Sequence, residues 1–256
     1  MSADSSSSLA AGDADGPLGA ELGRWGRLFG GFAHEIKNPL STIGLHLRLL
    51  EEDVGEPSTP RDKRILTRTQ RLSKEVMRLQ GILQEFLDFV RAPEAQFAPV
   101  SLNLIVREIS DLLRPEMERQ DIRLNLLLTE GLEPATVDKN LVHQALLNLM
   151  RNAQEAIVGT GRSGEIIVGT AFDESTDSFV LSVTDSGPGM AEEVRQRCFE
   201  PYFSTKPGGT GLGLAITRRF VEDHGGNMRI DSHEGIGTKF ELRVPRLPSR
   251  LAEPEA

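Results

Sequence analysis

The sequence predicts an α+β protein in two parts, a helical hairpin followed by a sheet carrying helices on one face. Three observations carry that reading. From Leu22 to about Val54, and again from Arg61 to Arg91, apolar residues recur at helical spacing, with GEPSTP breaking the pattern between them. Two prolines, Pro93 and Pro99 in RAPEAQFAPV, then interrupt helical continuity. Beyond them helical and alternating strand patterns intermix, the texture of helices packed on a sheet.

In order, residues 1–20, MSADSSSSLAAGDADGPLGA, offer almost nothing to bury and read as a disordered segment. Residues 21–92 form the hairpin. In its second arm Ile65, Leu72, Val76, Leu79, Leu83, Phe86 and Val90 make a narrow apolar seam. Two helices so striped bury too little alone, so a second copy is expected to complete a four-helix bundle as a homodimer. Residues 93–100 read as a linker and 101–247 as the second domain, leaving 248–256 as a tail. Within the second domain the patterns predict helices at 102–119, 139–157 and 212–224, and strands at 122–128, 165–172, 178–184, 227–232 and 238–244.

Composition narrows the function. An apolar fraction of 38% supports a real core, and a net charge of −9 argues against broad nucleic-acid affinity. The single cysteine, Cys198, excludes an intramolecular disulfide and reads as a small core residue. No apolar run is long enough for a membrane span, so a cytoplasmic location is expected. The residues ahead of the hairpin are too few and too polar for a sensor domain, so a separate sensory partner, a larger system of which this chain is one half, or a fragment of a longer protein is expected.

The stretch FAHEIKNPLS, residues 32–41, departs from its surroundings. At about 100° per residue, Leu28, Phe32, Ile36, Leu40, Ile43, Leu47 and Leu50 share one arc, while His34 falls nearly opposite with Asn38 beside it. Pro39 withholds an N–H from the helix and is expected to bend it just beyond His34. A histidine without a task is the plain alternative, but a proline beside an outward imidazole suggests a shaped surface. The stretch resembles the phosphoacceptor box of bacterial sensor histidine kinases. The resemblance implies that His34 is the phosphoacceptor, Glu35 the adjacent acid, and Asn38 the residue that accompanies phosphatase activity.

Four further boxes follow. LLNLMRNAQEA sets Asn148 and Asn152 one turn apart on one helix face, where a hydrogen-bonding role serves equally well. The pair resembles the N box, whose amides hold Mg²⁺ on ATP phosphates. DSGPGM is a turn by itself; in the resemblance Asp185 takes the adenine amino group, with Gly187 and Gly189 allowing close approach. CFEPYFSTK resembles the phenylalanine box through Phe199 and Phe203. The second glycine box, Gly209, Thr210, Gly211, Leu212 and Gly213, runs into a helix, whose free N–H groups favour phosphate. Its proximity to Phe203 implies a short lid of the nitrogen-regulation-like type, with Lys206 in reach of the phosphates. GIGTKFEL, with Thr238, supplies the last box.

The resemblance implies a GHKL-type ATP-binding domain, ATP and Mg²⁺ as cofactors, and a response regulator whose receiver domain takes the phosphoryl group from His34. Two other readings share that fold. A GHKL-type ATPase carries a glutamate where this chain has Asn148, an amide without basicity. A catalytically silent dimeric scaffold has no chemical need for the boxes. Between Arg61 and Arg78 seven Lys or Arg residues stand against Asp62 and Glu75, either a solvated face or a docking surface for an acidic partner, with Leu45 as an apolar contact.

Overall fold

A computed structural model of the chain describes residues 17–90, 95–206 and 209–247, with the side chains of 17–35, 85 and 88–90 outside the description. The chain divides into two compact units, Met1–Ala92 and Pro93–Ala256.

The first unit is a hairpin of α1 (Pro17–Val54) and α2 (Pro60–Val90). Helix α1 begins inside the segment expected to be disordered: residues 17–20 already belong to it, and proline suits a first helical position. Residues 1–16 lie outside the described part. Pro39 sits within a continuous helix, and just beyond it the Ser41 and Thr42 hydroxyls donate to the carbonyls of Lys37 and Asn38. Gly55, at φ 53°, ends α1 by donating to the carbonyls of Glu51 and Glu52. A reciprocal cap starts α2: Asp62 N–H donates to Thr59 Oγ1 at 3.1 Å, and Thr59 N–H donates to Asp62 Oδ2 at 2.9 Å. Hydrogen bonds from the Thr59 side chain and backbone hold the Asp62 carboxyl below the usual carboxylate range.

Within one copy the expected seam is only half covered. Val76 is buried and Leu40, Leu47, Ile65, Leu83 and Phe86 are half-buried, whereas Ile43, Leu50, Leu72 and Leu79 remain exposed.

The second unit holds β1 (Ala98–Val100), α3 (Leu102–Arg119), β2 (Ile122–Leu128), β3 (Ala135–Val137), α4 (Lys139–Val158), β4 (Gly164–Asp173), β5 (Ser178–Asp185), α5 (Glu192–Arg197), α6 (Gly213–Asp223), β6 (Asn227–His233) and β7 (Gly237–Pro245). Five strands form one sheet in the order β2-β4-β5-β7-β6, parallel only between β2 and β4. The outer face is largely polar, with Arg123, Asn125, Glu165, Thr184, Lys239, Glu241 and Arg229 alternating with inward apolar residues, as a half-solvated sheet requires. Helices α3, α4 and α6 cover the other face, and Ile105, Ile109, Leu146, Leu149, Met150, Ile166 and Val168 make the core between.

The end of the expected linker belongs to this unit. Residues 98–100 form β1, antiparallel to β3. Gln96 N–H donates to Asp138 Oδ2 at 2.7 Å, while Oδ1 of the same carboxylate caps α4 through the N–H groups of Asn140 and Leu141. The Asp138 N–H in turn donates to Nε2 of the buried His224, whose ring meets Phe97 edge-on. Neither three-residue strand has enough alternation to be seen in sequence.

Candidate nucleotide site

The candidate groups of the second unit converge where α4, the end of β5, the start of β7 and the N-terminus of α6 meet. Asp185 ends β5 opposite Thr238 on β7, and its side chain is only 7% exposed. Its carboxylate accepts the Gly187 N–H at 2.8 Å and is also bonded by the Thr238 backbone. Burial pushes the Asp185 carboxyl up; those two backbone bonds and the charge of Lys206 pull the other way. A carboxylate left in so dry a place is poised to accept from a polar ligand edge.

Gly187 is a glycine for a spatial reason. A Cβ there would press on Asp185 Oδ1 and on Ala156 of α4, closing the approach to the carboxylate. The hydroxyls behind this turn are interlocked. Ser232 Oγ accepts the Met190 N–H at 2.9 Å and lies 2.9 Å from Thr238 Oγ1, so Thr238 braces the loop from the inside. Ser232 had no motif to mark it.

The glycine loop from Gly209 leads into α6. Unlike α3 and α4, which Ser101 and Asp138 cap, α6 has Leu212 before its first turn and no side-chain cap. Its first N–H groups are therefore open to an anion, with the helix dipole adding attraction. Gly211, at φ 68°, passes so close to the Tyr202 and Phe203 backbone that a side chain would collide, and the Tyr202 N–H donates to the Gly211 carbonyl. The Thr210 hydroxyl accepts the Leu212 N–H at 3.3 Å and shapes the entry to the helix.

The two asparagines separate in role. Asn148 Nδ2 donates to the buried Thr217 Oγ1 at 2.9 Å, and its amide fills the space a side chain on Gly213 would take. Asn148 thus pins α6 to α4. Asn152 instead turns its amide oxygen to a cation: Lys206 Nζ donates to Asn152 Oδ1 at 3.2 Å and to Glu155 Oε2 at 2.6 Å. An ammonium group on that oxygen is a stand-in for a metal, so the Asn152 side fits Mg²⁺, which takes few protein ligands and relies on phosphate oxygens. Among the described residues no cluster of three His, Cys, Asp or Glu is placed to hold a metal.

The aromatic pair also divides. Phe199, expected at the ligand, packs edge-to-face on Phe240 at 6.4 Å and joins the core. Phe203 lies half-buried under the Arg197 guanidinium, 4.3 Å from its ring centre. Cys198 is buried, donates to the Arg195 carbonyl at 3.2 Å, and has its thiol pushed up to about 11 by burial. It is an inert packing residue. The side chains of His34 and Glu35 fall outside the described residues; Asn38 is exposed on α1.

Residues 24–95 match the His Kinase A (phospho-acceptor) domain, and residues 137–248 match the histidine kinase-, DNA gyrase B-, and HSP90-like ATPase family. The chain is 37% identical over 221 residues to the sensor histidine kinase ZraS of Salmonella typhi, covering 86% of this chain and 45% of that one. It is 31% identical over 227 residues to the signal transduction histidine-protein kinase AtoS of Escherichia coli (strain K12), with 89% and 36% covered. The chain thus spans less than half the length of these relatives. Among solved structures it resembles full-length ShkA in complex with AMPPNP (TM-score 0.73, 26% identity, 86% and 45% covered). It also resembles the histidine kinase ThkA in complex with the response regulator protein TrrA (TM-score 0.61, 28% identity, 90% and 64% covered). Phosphoacceptor hairpin and ATPase-type sheet occur in one chain and in this order, and the chain belongs to the sensor histidine kinase family.

Proposed function

We propose that the chain is an ATP-dependent protein histidine kinase that phosphorylates His34 and passes the phosphoryl group to an aspartate of a separate response regulator. The observation that carries the nucleotide half is the buried Asp185 carboxylate beside an uncapped glycine-led helix, with a cation already on Asn152. In this reading Asp185 accepts from the adenine amino group. Gly187 and Gly189 keep that approach open, and Thr238 holds the carboxylate in place. The α6 N-terminus, through Gly209 to Gly213, receives phosphate oxygens, with Lys206 adding positive charge. Asn152 would hold Mg²⁺ through its amide oxygen, and the metal would supply positive charge against that of the transferring group. Asn148 acts through α6, and Phe203 borders the lid.

One nitrogen of the neutral His34 imidazole attacks the γ-phosphorus in line, the bond to the β–γ bridging oxygen breaks, and ADP departs with that electron pair. Glu35 accepts the N–H of the other nitrogen and offsets the positive charge that develops on the ring. The match of residues 24–95 to the phosphoacceptor domain supports both roles. Hydrolysis is disfavoured, because the Asn148 amide supplies no base for water and its nitrogen donates to Thr217. A cytoplasmic location fits a reaction that consumes ATP, and among the described residues no helix is long and apolar enough to cross a membrane.

Incubation with γ-labelled ATP and Mg²⁺ should give acid-labile, alkali-stable phosphoprotein in the wild type and none in His34→Gln. Sustained phosphate release with His34 unlabelled would identify an ATPase instead. Nucleotide binding without any phosphohistidine would identify a scaffold.

The exposed Asn38 supports a second activity. It stands one turn beyond His34, so its amide can orient a water towards a phosphoryl group brought there by a docked regulator, a role that needs no basicity. Asn38→Ala should retain autophosphorylation yet slow dephosphorylation of the cognate phosphorylated regulator. Equal rates with wild type would leave Asn38 a structural residue ahead of Pro39.

A further inference from the structure

We propose that Glu155 is a positioning residue for Lys206, holding its ammonium on Asn152 until nucleotide arrives, and that it thereby sets how strongly nucleotide binding depends on the divalent metal. The inference rests on the ATP–Mg²⁺ reading of this site.

Glu155 lies three residues after Asn152 on α4, so both side chains leave the same side of the helix. Lys206 reaches them from the loop after Phe203. Its backbone is fixed there, because its N–H donates to Ser204 Oγ at 3.1 Å and its carbonyl accepts the Gly209 N–H at 3.1 Å. The ammonium then has one short bond to Glu155, at 2.6 Å, and a longer one to Asn152, at 3.2 Å. The carboxylate is the anchor and the amide the second point of rest.

Both side chains of the ion pair are at least 40% exposed, so the pair adds little to fold stability. Its placement matters more. Lys206 occupies the Asn152 amide oxygen, a donor suited to a hard metal, and it stands three residues before Gly209, where the phosphate cradle begins. Metal and ammonium therefore compete for Asn152. When the metal takes that oxygen, Lys206 is released towards the phosphates, and its charge is used there. Without metal, Glu155 retains the lysine and withholds its charge from an anionic ligand, which weakens metal-free binding.

Binding of AMPPNP by titration calorimetry, once with Mg²⁺ and once with EDTA, separates the possibilities without requiring turnover. Glu155→Gln keeps the shape and removes the anchor. It should tighten binding in EDTA about fivefold, the effect available to an exposed ion pair, while changing binding in Mg²⁺ less than about twofold. In a Lys206→Met background the same substitution should leave the EDTA affinity within about twofold. An equal gain in both backgrounds would show that Glu155 acts as a bare charge and not through Lys206, overturning the inference, as would no gain in either. Failure of the wild type to bind AMPPNP even with Mg²⁺ would overturn the site reading itself.

Discussion

Asp185 shows how a single residue can trade stability for binding. Its carboxyl is raised above the ordinary value, first by burial, so the folded chain holds that proton more tightly than the unfolded chain does. The stabilising contribution is complete below the ordinary carboxylate value of 3.8 and is lost as pH rises through the raised value. At neutral pH the charged group is therefore a burden on the fold. Asp185→Asn keeps an oxygen for the Gly187 and Thr238 N–H groups and removes the charge. Its melting temperature should exceed that of wild type at pH 7, with the difference shrinking on acidification towards pH 4, as scanning calorimetry can follow. The same variant should bind ADP at least about tenfold more weakly, because an amide presents a weaker acceptor and a mismatched donor. A variant neither stabilised at neutral pH nor impaired in binding would place Asp185 outside the site. By itself DSGPGM reads as a turn, and only the resemblance it carries singles out Asp185. The pairing of Lys206 with Glu155 is not legible in the sequence, since 51 residues separate them and the fold alone closes that gap.

Among the elements, α4 concentrates the site, and Asp138 is its origin. One carboxylate oxygen caps the helix and the other holds Gln96, so the strand that opens the unit and the helix carrying Asn148 and Asn152 share one anchor. Asp138→Ala should destabilise the unit by about 1–2 kcal/mol, the range for a lost N-cap. Hydrogen exchange should quicken both at residues 96–100 and in the first turn of α4. Faster exchange at the helix alone would mean that β1 is held by its pairing with β3 and not by Asp138. The long elements here are legible in sequence: the expected 102–119 and 122–128 coincide with α3 and β2, because apolar residues repeat cleanly at 3.6 and 2 residues. The short ones are not. β1 and β3 have three residues each, α5 has six, and none of these spans a full period of burial; their positions are decided by contacts such as His224 with Asp138. The start of α1 is missed for a related reason, since Pro17 and its neighbours carry no apolar stripe to mark them.

For the whole molecule, the exposed half of the hairpin seam is a statement about partners. Ile43, Leu50, Leu72 and Leu79 are each at least 40% exposed in one copy, although sequence periodicity sets them in line with the buried Val76. A stripe of this kind is covered most simply by the same stripe of a second hairpin, since two-fold pairing lets identical surfaces bury one another. Leu79→Asp tests this cleanly. At 40% exposure the side chain contributes modestly to the fold of one copy, so each hairpin should remain helical by circular dichroism. In a four-helix bundle the same position becomes interior, and an aspartate there must lose its hydration without a partner, a penalty of several kcal/mol for each copy. Sedimentation should therefore show a dimer for wild type and a monomer for Leu79→Asp at micromolar concentration. AMPPNP binding should survive, because none of the nucleotide-site residues lies on the hairpin, and loss of autophosphorylation with binding intact would indicate that the reaction needs two copies. A variant that stays dimeric would move the interface to the other exposed apolar residues of the hairpin, Leu45, Leu49 and Met77.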